Sequence, residues 1–230
     1  PLALGISDAI AALIAGNAVV AKPDWSTPFS NLISLRLLQE AGLPHDVLQI
    51  VTGSGEVVGG AISQKCDYLM FTGSTQTGKI LGKTVGERLV GYSAELGGKN
   101  PMIIAPDADI EKHIDTIATA CFSNSGQLCV SIERIYVPES IYDEFLRAFQ
   151  RATESIVLGK GLNWGYTMGS LIGPEQLDRV QGLVDDARAK GATVLTGGKP
   201  RPDIGPYHFE PTVLTNVGAD IKLATQEVFG

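Results

Sequence analysis

Tyr68-Leu69-Met70-Phe71-Thr72-Gly73-Ser74-Thr75-Gln76-Thr77 runs from a short apolar stretch through a glycine into residues that favour a helix start. Tyr68 to Phe71 predicts a strand, and Thr75 to Val85 predicts a helix. A strand that passes to a helix through Gly-Ser leaves free amides and the positive end of the helix dipole at the strand's tip. Gly73 also removes the side chain that would hold an anion at a distance. The turn therefore suits a pyrophosphate. Ser- or Thr-capped strand-helix turns are common in α/β proteins of every kind, so the motif is of limited specificity.

The same rhythm extends upstream. Ile6 to Ala15 reads as a helix stopped at Gly16-Asn17, Ala18 to Lys22 as a buried strand, and Pro28 to Ala41 as a helix ended by Gly42 and Pro44. Val47 to Val51 is a further strand and Ser54 to Ser63 a further helix. Three strand-to-helix units in succession are the pattern of a parallel α/β sheet and of nucleotide-binding domains. The run Gly53-Ser54-Gly55-Glu56-Val57-Val58-Gly59 imitates a dinucleotide fingerprint but has the wrong final spacing, and reads as a structural turn.

Beyond Gly98 the character changes. Pro101 to Ala105 predicts a strand, Asp107-Ala108-Asp109 a capped start for a helix reaching about Phe122, and Ile135 to Val137 a strand ended by Pro138. Helices follow at Ile141 to Ile156 and Pro174 to Lys190, then a short strand at Ala192 to Thr196 and a Gly- and Pro-rich loop from Gly197 to Pro211. The expected boundary lies near Gly98 to Asn100, giving domains 1–98 and 99–230.

Composition bounds the class. An apolar fraction of 44% over 230 residues is ample for a packed core, and no apolar run approaches the roughly 20 residues that span a bilayer. The net charge of −7, without Lys or Arg runs, opposes nucleic-acid binding. Three widely spaced cysteines argue against a disulfide framework and fit a reducing cytosol. No metal-ligand spacing joins Cys66, Cys121 or Cys129 to the isolated His45, His113 and His208.

Two residues carry candidate chemistry. Cys129 ends Gly126-Gln127-Leu128-Cys129, where a thiolate can attack a carbonyl carbon and its own amide can donate to the oxyanion formed. Most free cysteines are small buried hydrophobes, the reading kept for Cys121 and Cys66. Glu95, in Glu95-Leu96-Gly97-Gly98, can draw a proton from water if partial burial lifts its pKa; otherwise it is a strand-end carboxylate. Asn100 and Asn124 read as side chains bonded to backbone in turns.

Glu95-Leu96-Gly97-Gly98 followed by Gly126-Gln127-Leu128-Cys129 resembles the base and nucleophile motifs of the NAD(P)-dependent aldehyde dehydrogenases. The resemblance covers nearly the whole chain but only about the middle half of a typical member, so the chain reads as an internal fragment. It implies a Rossmann-like parallel-sheet cofactor domain followed by part of an α/β catalytic domain, with Cys129 as nucleophile and Glu95 as base. By the same resemblance the cofactor contacts are Lys22, Gly73, Ser74, Leu96, Gly97, Glu227 and Phe229. Members that prefer NAD usually carry a glutamate where Trp25 stands, which tilts the expectation to NADP, with NAD as the alternative. Asp24, next to it in a segment read as extended, is expected to face the other way.

Ser93 to Met102 and Ser131 to Val137 are most similar to the succinate-semialdehyde dehydrogenase branch, whose well-understood members place an arginine where Ser123 stands. The resemblance implies a small aldehyde substrate, a cytoplasmic location and a homo-oligomeric complete protein, dimer or tetramer, with no nucleic-acid or membrane partner. Two alternatives stay open: a CoA-acylating dehydrogenase, against which Glu95 argues, and a non-catalytic module that binds cofactor or partner subunits.

Overall fold

A computed structural model describes residues 3–230. The chain divides between Leu96 and Gly97 into two compact units.

In the first unit, helix α1 (Ala3–Ile14) leads to strand β1 (Val19–Ala21), helix α2 (Pro28–Glu40) and strand β2 (Leu48–Ile50), which pairs parallel with β1. Strand β3 (Tyr68–Thr72) passes through Gly73-Ser74 into helix α4 (Thr75–Glu87) and pairs parallel with β4 (Gly91–Glu95) in the register Tyr68↔Gly91 to Thr72↔Glu95. The expected parallel α/β arrangement is present as two hydrogen-bonded pairs. β4 escapes sequence reading because Gly91-Tyr92-Ser93-Ala94-Glu95 has no apolar run and no β-branched residue. Its place depends on contact: a Cβ at Gly91 would collide with the Tyr68 ring, and the Tyr68 and Ser93 hydroxyls are hydrogen-bonded. The helix expected from Ser54 begins as a π-helical turn, Gly55–Gly59, before helix α3 (Gly60–Ser63). Glycines at 55, 59 and 60 weaken regular helix there, while Ser54 Oγ still accepts the cap bond from Val57 N at 3.2 Å.

In the second unit, β5 (Asn100–Ile103) pairs parallel with β6 (Ile132–Tyr136). The register shifts between Asn100 and Pro101, where proline has no amide to give the ladder. Helix α5 (Ile110–Phe122) opens on Asp109, whose Oδ1 accepts from Lys112 N at 3.1 Å. It packs on α6 (Tyr142–Glu154) in a core of Ile104, Ile110, Ile114, Phe145 and Phe149, where the Phe145 and Phe149 rings stack with centroids 5.5 Å apart. Helix α7 (Pro174–Ala189) buries Leu183 and Ala187 against Ile221. Strand β7 (Thr193–Thr196) pairs antiparallel with β8 (Val213–Thr215), a three-residue strand hidden in the sequence behind the preceding loop. Among the described residues, no helix is long and apolar enough to cross a membrane.

Candidate active site

The cysteine turn is built by backbone conformation. After α5, Asn124 (φ 53°), Ser125 (φ 58°) and Gly126 (φ 72°) are three consecutive left-handed residues, a conformation free of penalty only for the glycine. At about 1–2 kcal/mol for each non-glycine residue, it persists only because neighbours fix it. Asn124 Nδ2 donates to Gln127 O at 3.1 Å, and Ser125 Oγ donates to Gly169 O at 3.0 Å. Gln127 Nε2 returns a bond to Asn124 O at 3.1 Å, and Gln127 Oε1 accepts from Ile172 N at 2.8 Å. Cys129, half-buried, follows on the turn into β6. Asn100 Nδ2 donates to the carbonyls of both Cys129 (2.6 Å) and Ser131 (2.9 Å). Asn100 and Asn124 therefore bond backbone, and in doing so they shape the segment that presents the thiol.

Cys121 is a different kind of thiol. It packs against the α5–α6 core, and burial pushes its pKa up to about 12. At pH 8 roughly one molecule in ten thousand would carry a Cys121 thiolate. Iodoacetamide at that pH should label Cys129 and leave Cys121 unmodified, as peptide mapping would reveal; prior labelling of Cys121 would reverse the assignment of the two cysteines.

The segment Glu227-Val228-Phe229 lies in the same unit. Glu227 Oε1 accepts from Gly98 N at 3.1 Å, and its carboxylate fills the space that a side chain at Gly97 would need. Phe229 is itself left-handed (φ 59°), and the backbone of Gly230 comes so close to Gly126 that a Cβ there would be 2.8 Å from it. This unit thus brings Gly97, Glu227 and Phe229 into one assembly whose backbone meets the cysteine turn. Sequence reading missed what holds it: Glu133, which accepts the amides of Val228 and Phe229, and Lys99, paired to Glu133 at 2.7 Å. The available signal was a charged pair, Glu133-Arg134, between the isoleucines of a half-buried strand.

In the first unit, Gly73 N donates to Glu95 O at 3.0 Å, so the glycine turn and the candidate base share a strand end. The Glu95 side chain is exposed, and the partial burial expected of a base is not present in this chain. A Cβ at Gly73 would lie 2.7 Å from the tip of the Phe71 ring, which would have to shift to admit it. Ser74 caps α4, its Oγ accepting from Thr77 N at 3.2 Å. Leu96 lies over Gly78 on α4, where a Cβ would be 2.7 Å from it.

A groove of about 490 Å³ is lined by Asp24, Trp25, Pro28, Gly53, Ser54 and their neighbours. Trp25 is 75% exposed there, and Lys22, whose Nζ donates to Pro23 O at 2.6 Å, stands at the end of β1. The expectation for Asp24 needs correction. The chain turns at 24–27, with Thr27 N donating to Asp24 O and Ser26 N to Asp24 Oδ1, so Asp24 borders the groove beside Trp25. Asp-x-Ser turn chemistry overrides the extended alternation assumed from the preceding strand. Among the described residues no cluster of His, Cys, Asp and Glu could hold a metal ion.

The architecture is that of an α/β protein with parallel strand pairs and a thiol on a strained, clamped turn. The aldehyde dehydrogenase family model matches residues 1–230, and the chain belongs to that family. It is 55% identical over its whole length to a Mycobacterium tuberculosis protein named "Putative succinate-semialdehyde dehydrogenase (NADP(+)) 2", of which it covers 44%. Succinate-semialdehyde dehydrogenase from Burkholderia pseudomallei has a similar structure (TM-score 0.91, 38% identity, 95% of this chain and 46% of that one). So does betaine aldehyde dehydrogenase from Staphylococcus aureus in complex with NAD+ (TM-score 0.90, 36% identity, 95% of this chain and 44% of that one). The chain spans less than half the length of the curated relatives it matches.

Proposed function

We propose that the chain is part of an NADP-dependent aldehyde dehydrogenase that oxidises succinate semialdehyde or a similar semialdehyde to the acid. On this reading residues 1–98 belong to the cofactor domain and 99–230 to the catalytic domain. The observation that carries it is the Cys129 turn, held by Asn100 and by the left-handed run at Asn124–Gly126. A thiol so fixed can add to an aldehyde carbon while backbone amides steady the oxyanion. NADP, when bound, would supply the hydride acceptor. Glu95 then activates the water that hydrolyses the Cys129 thioester. A CoA-acylating reading has no use for that carboxylate.

The groove at Asp24, Trp25 and Gly53–Gly55 has the size and apolar lining to accept an adenosine moiety, with Lys22 as a ribose or phosphate donor. Gly73 and Ser74 fit the pyrophosphate, while Leu96, Gly97, Glu227 and Phe229 serve the nicotinamide side. Ser123 Oγ donates to Thr119 O at 2.6 Å, so this position offers a distal carboxylate no charge, and dicarboxylic specificity must draw on other residues. The complete protein is read as a cytoplasmic homo-oligomer, and its free cysteines fit a reducing compartment.

Cofactor choice provides the test. The complete protein should reduce NADP on addition of succinate semialdehyde, and use NADP better than NAD. Trp25→Glu should shift the kcat/KM ratio towards NAD by roughly tenfold or more, since it adds an acceptor for the ribose hydroxyls and repels a 2′-phosphate. A wild type that strongly prefers NAD, or forms no reduced cofactor with any aldehyde, would defeat the corresponding half of this reading.

A further inference from the structure

The Lys99–Glu133 ion pair is almost enclosed, each side chain being only 9% exposed. Such a pair is a weak device for stability, because desolvation offsets most of its attraction. Its partners indicate another purpose. Glu133 Oε2 accepts from Lys99 Nζ at 2.7 Å and from Val228 N at 3.0 Å; Glu133 Oε1 accepts from Val228 N at 2.9 Å and Phe229 N at 3.1 Å. Both carboxylate oxygens are thus occupied by the amides of the segment beyond Glu227. The carbonyls of that segment are held from the other side, with Gln176 Nε2 donating to Val228 O (3.0 Å) and Phe229 O (2.6 Å) and Arg179 Nε to Val228 O (3.3 Å).

The pair also joins three stretches of chain. Lys99 directly follows Gly97-Gly98, Glu133 stands on β6 four residues after Cys129, and Val228-Phe229 follows Glu227. Phe229 is left-handed, which an aromatic residue adopts only under external constraint. We propose that Lys99 and Glu133 are positioning residues: the carboxylate, held by the lysine, receives the Val228 and Phe229 amides and so sets where the Glu227 carboxylate and Phe229 ring point. This rests on the proposed dehydrogenase function, in which Glu227 and Phe229 meet the nicotinamide end of the cofactor.

The test uses the complete protein with both charges removed together, Lys99→Met with Glu133→Gln, so that no unpaired charge is left enclosed. The expected results are a rise of roughly tenfold in the NADPH dissociation constant by fluorescence titration, as supporting-shell losses typically produce, and faster hydrogen exchange at the Val228 and Phe229 amides. The rate of Cys129 alkylation without cofactor should stay within about twofold of wild type, because Asn100 and the left-handed run still hold that turn. Unchanged exchange, or unchanged NADPH affinity with faster exchange, overturns the proposal. So does an equal loss of Cys129 reactivity, which would mark a general structural role. A wild type that binds neither dinucleotide would sink the dehydrogenase reading and with it the cofactor half of the proposal. The exchange measurement would then separately decide whether the pair holds the segment.

Discussion

Cys129→Ala in the complete protein is expected to lower aldehyde oxidation by roughly 10⁴-fold or more while leaving NADP affinity unchanged, because on the proposed reading the thiol makes the covalent bond and no part of the cofactor pocket. The other cysteines cannot stand in. Cys121 packs on the α5–α6 core with its pKa pushed up to about 12, and the Cys66 thiol lies between Ser63 O and the Arg88 guanidinium in the other unit. The substitution should also spare the turn, since Asn100 bonds the Cys129 carbonyl, which alanine retains. Steady-state rates with succinate semialdehyde, set beside NADPH titration of the same preparation, are the measurement. Near-normal turnover would mean that this turn does not carry the nucleophile.

Much of the frame was legible because it rests on local signals. Gly73-Ser74 after an apolar run announced β3 and α4, Asp109 announced α5, and Pro174 opened α7. What escaped depends on contacts across long stretches of sequence. β4 becomes a strand through its register with β3, and Gly91 is required by the ring of Tyr68. Asp24 follows a turn of its own making, not the strand before it. In the candidate site, Cys129 stood out through its motif and Glu227 only through a resemblance to the family. Glu133 and Lys99 did not, because a charge in a strand shows its role only when its partners, up to 96 residues away, are seen. The Gln127 bridge to Ile172 is of the same kind: the sequence offers the amide, and only folding brings it a partner.

Glu95→Gln should separate the two halves of the reaction. In the proposed mechanism, addition of the thiol and formation of the thioester need no base at this position, so one equivalent of reduced cofactor per site should still appear in a rapid burst. Hydrolysis does need it, and loss of a positioned general base typically costs about 10²–10⁴-fold, so steady turnover after the burst should fall by that order. The substitution is conservative for the fold. The bond that ties Glu95 to the phosphate-turn candidate runs from Gly73 N to the Glu95 backbone carbonyl, and the β3–β4 register Thr72↔Glu95 is likewise a main-chain property. Glutamine keeps the size and polarity of a side chain that is exposed at the strand end, and removes only its capacity to take a proton. Stopped-flow absorbance of NADPH formation distinguishes the outcomes. A burst with slow turnover identifies Glu95 as the base of the second step, whereas equal loss of burst and steady rate would assign the carboxylate a structural part and leave the water-activating group to be sought elsewhere.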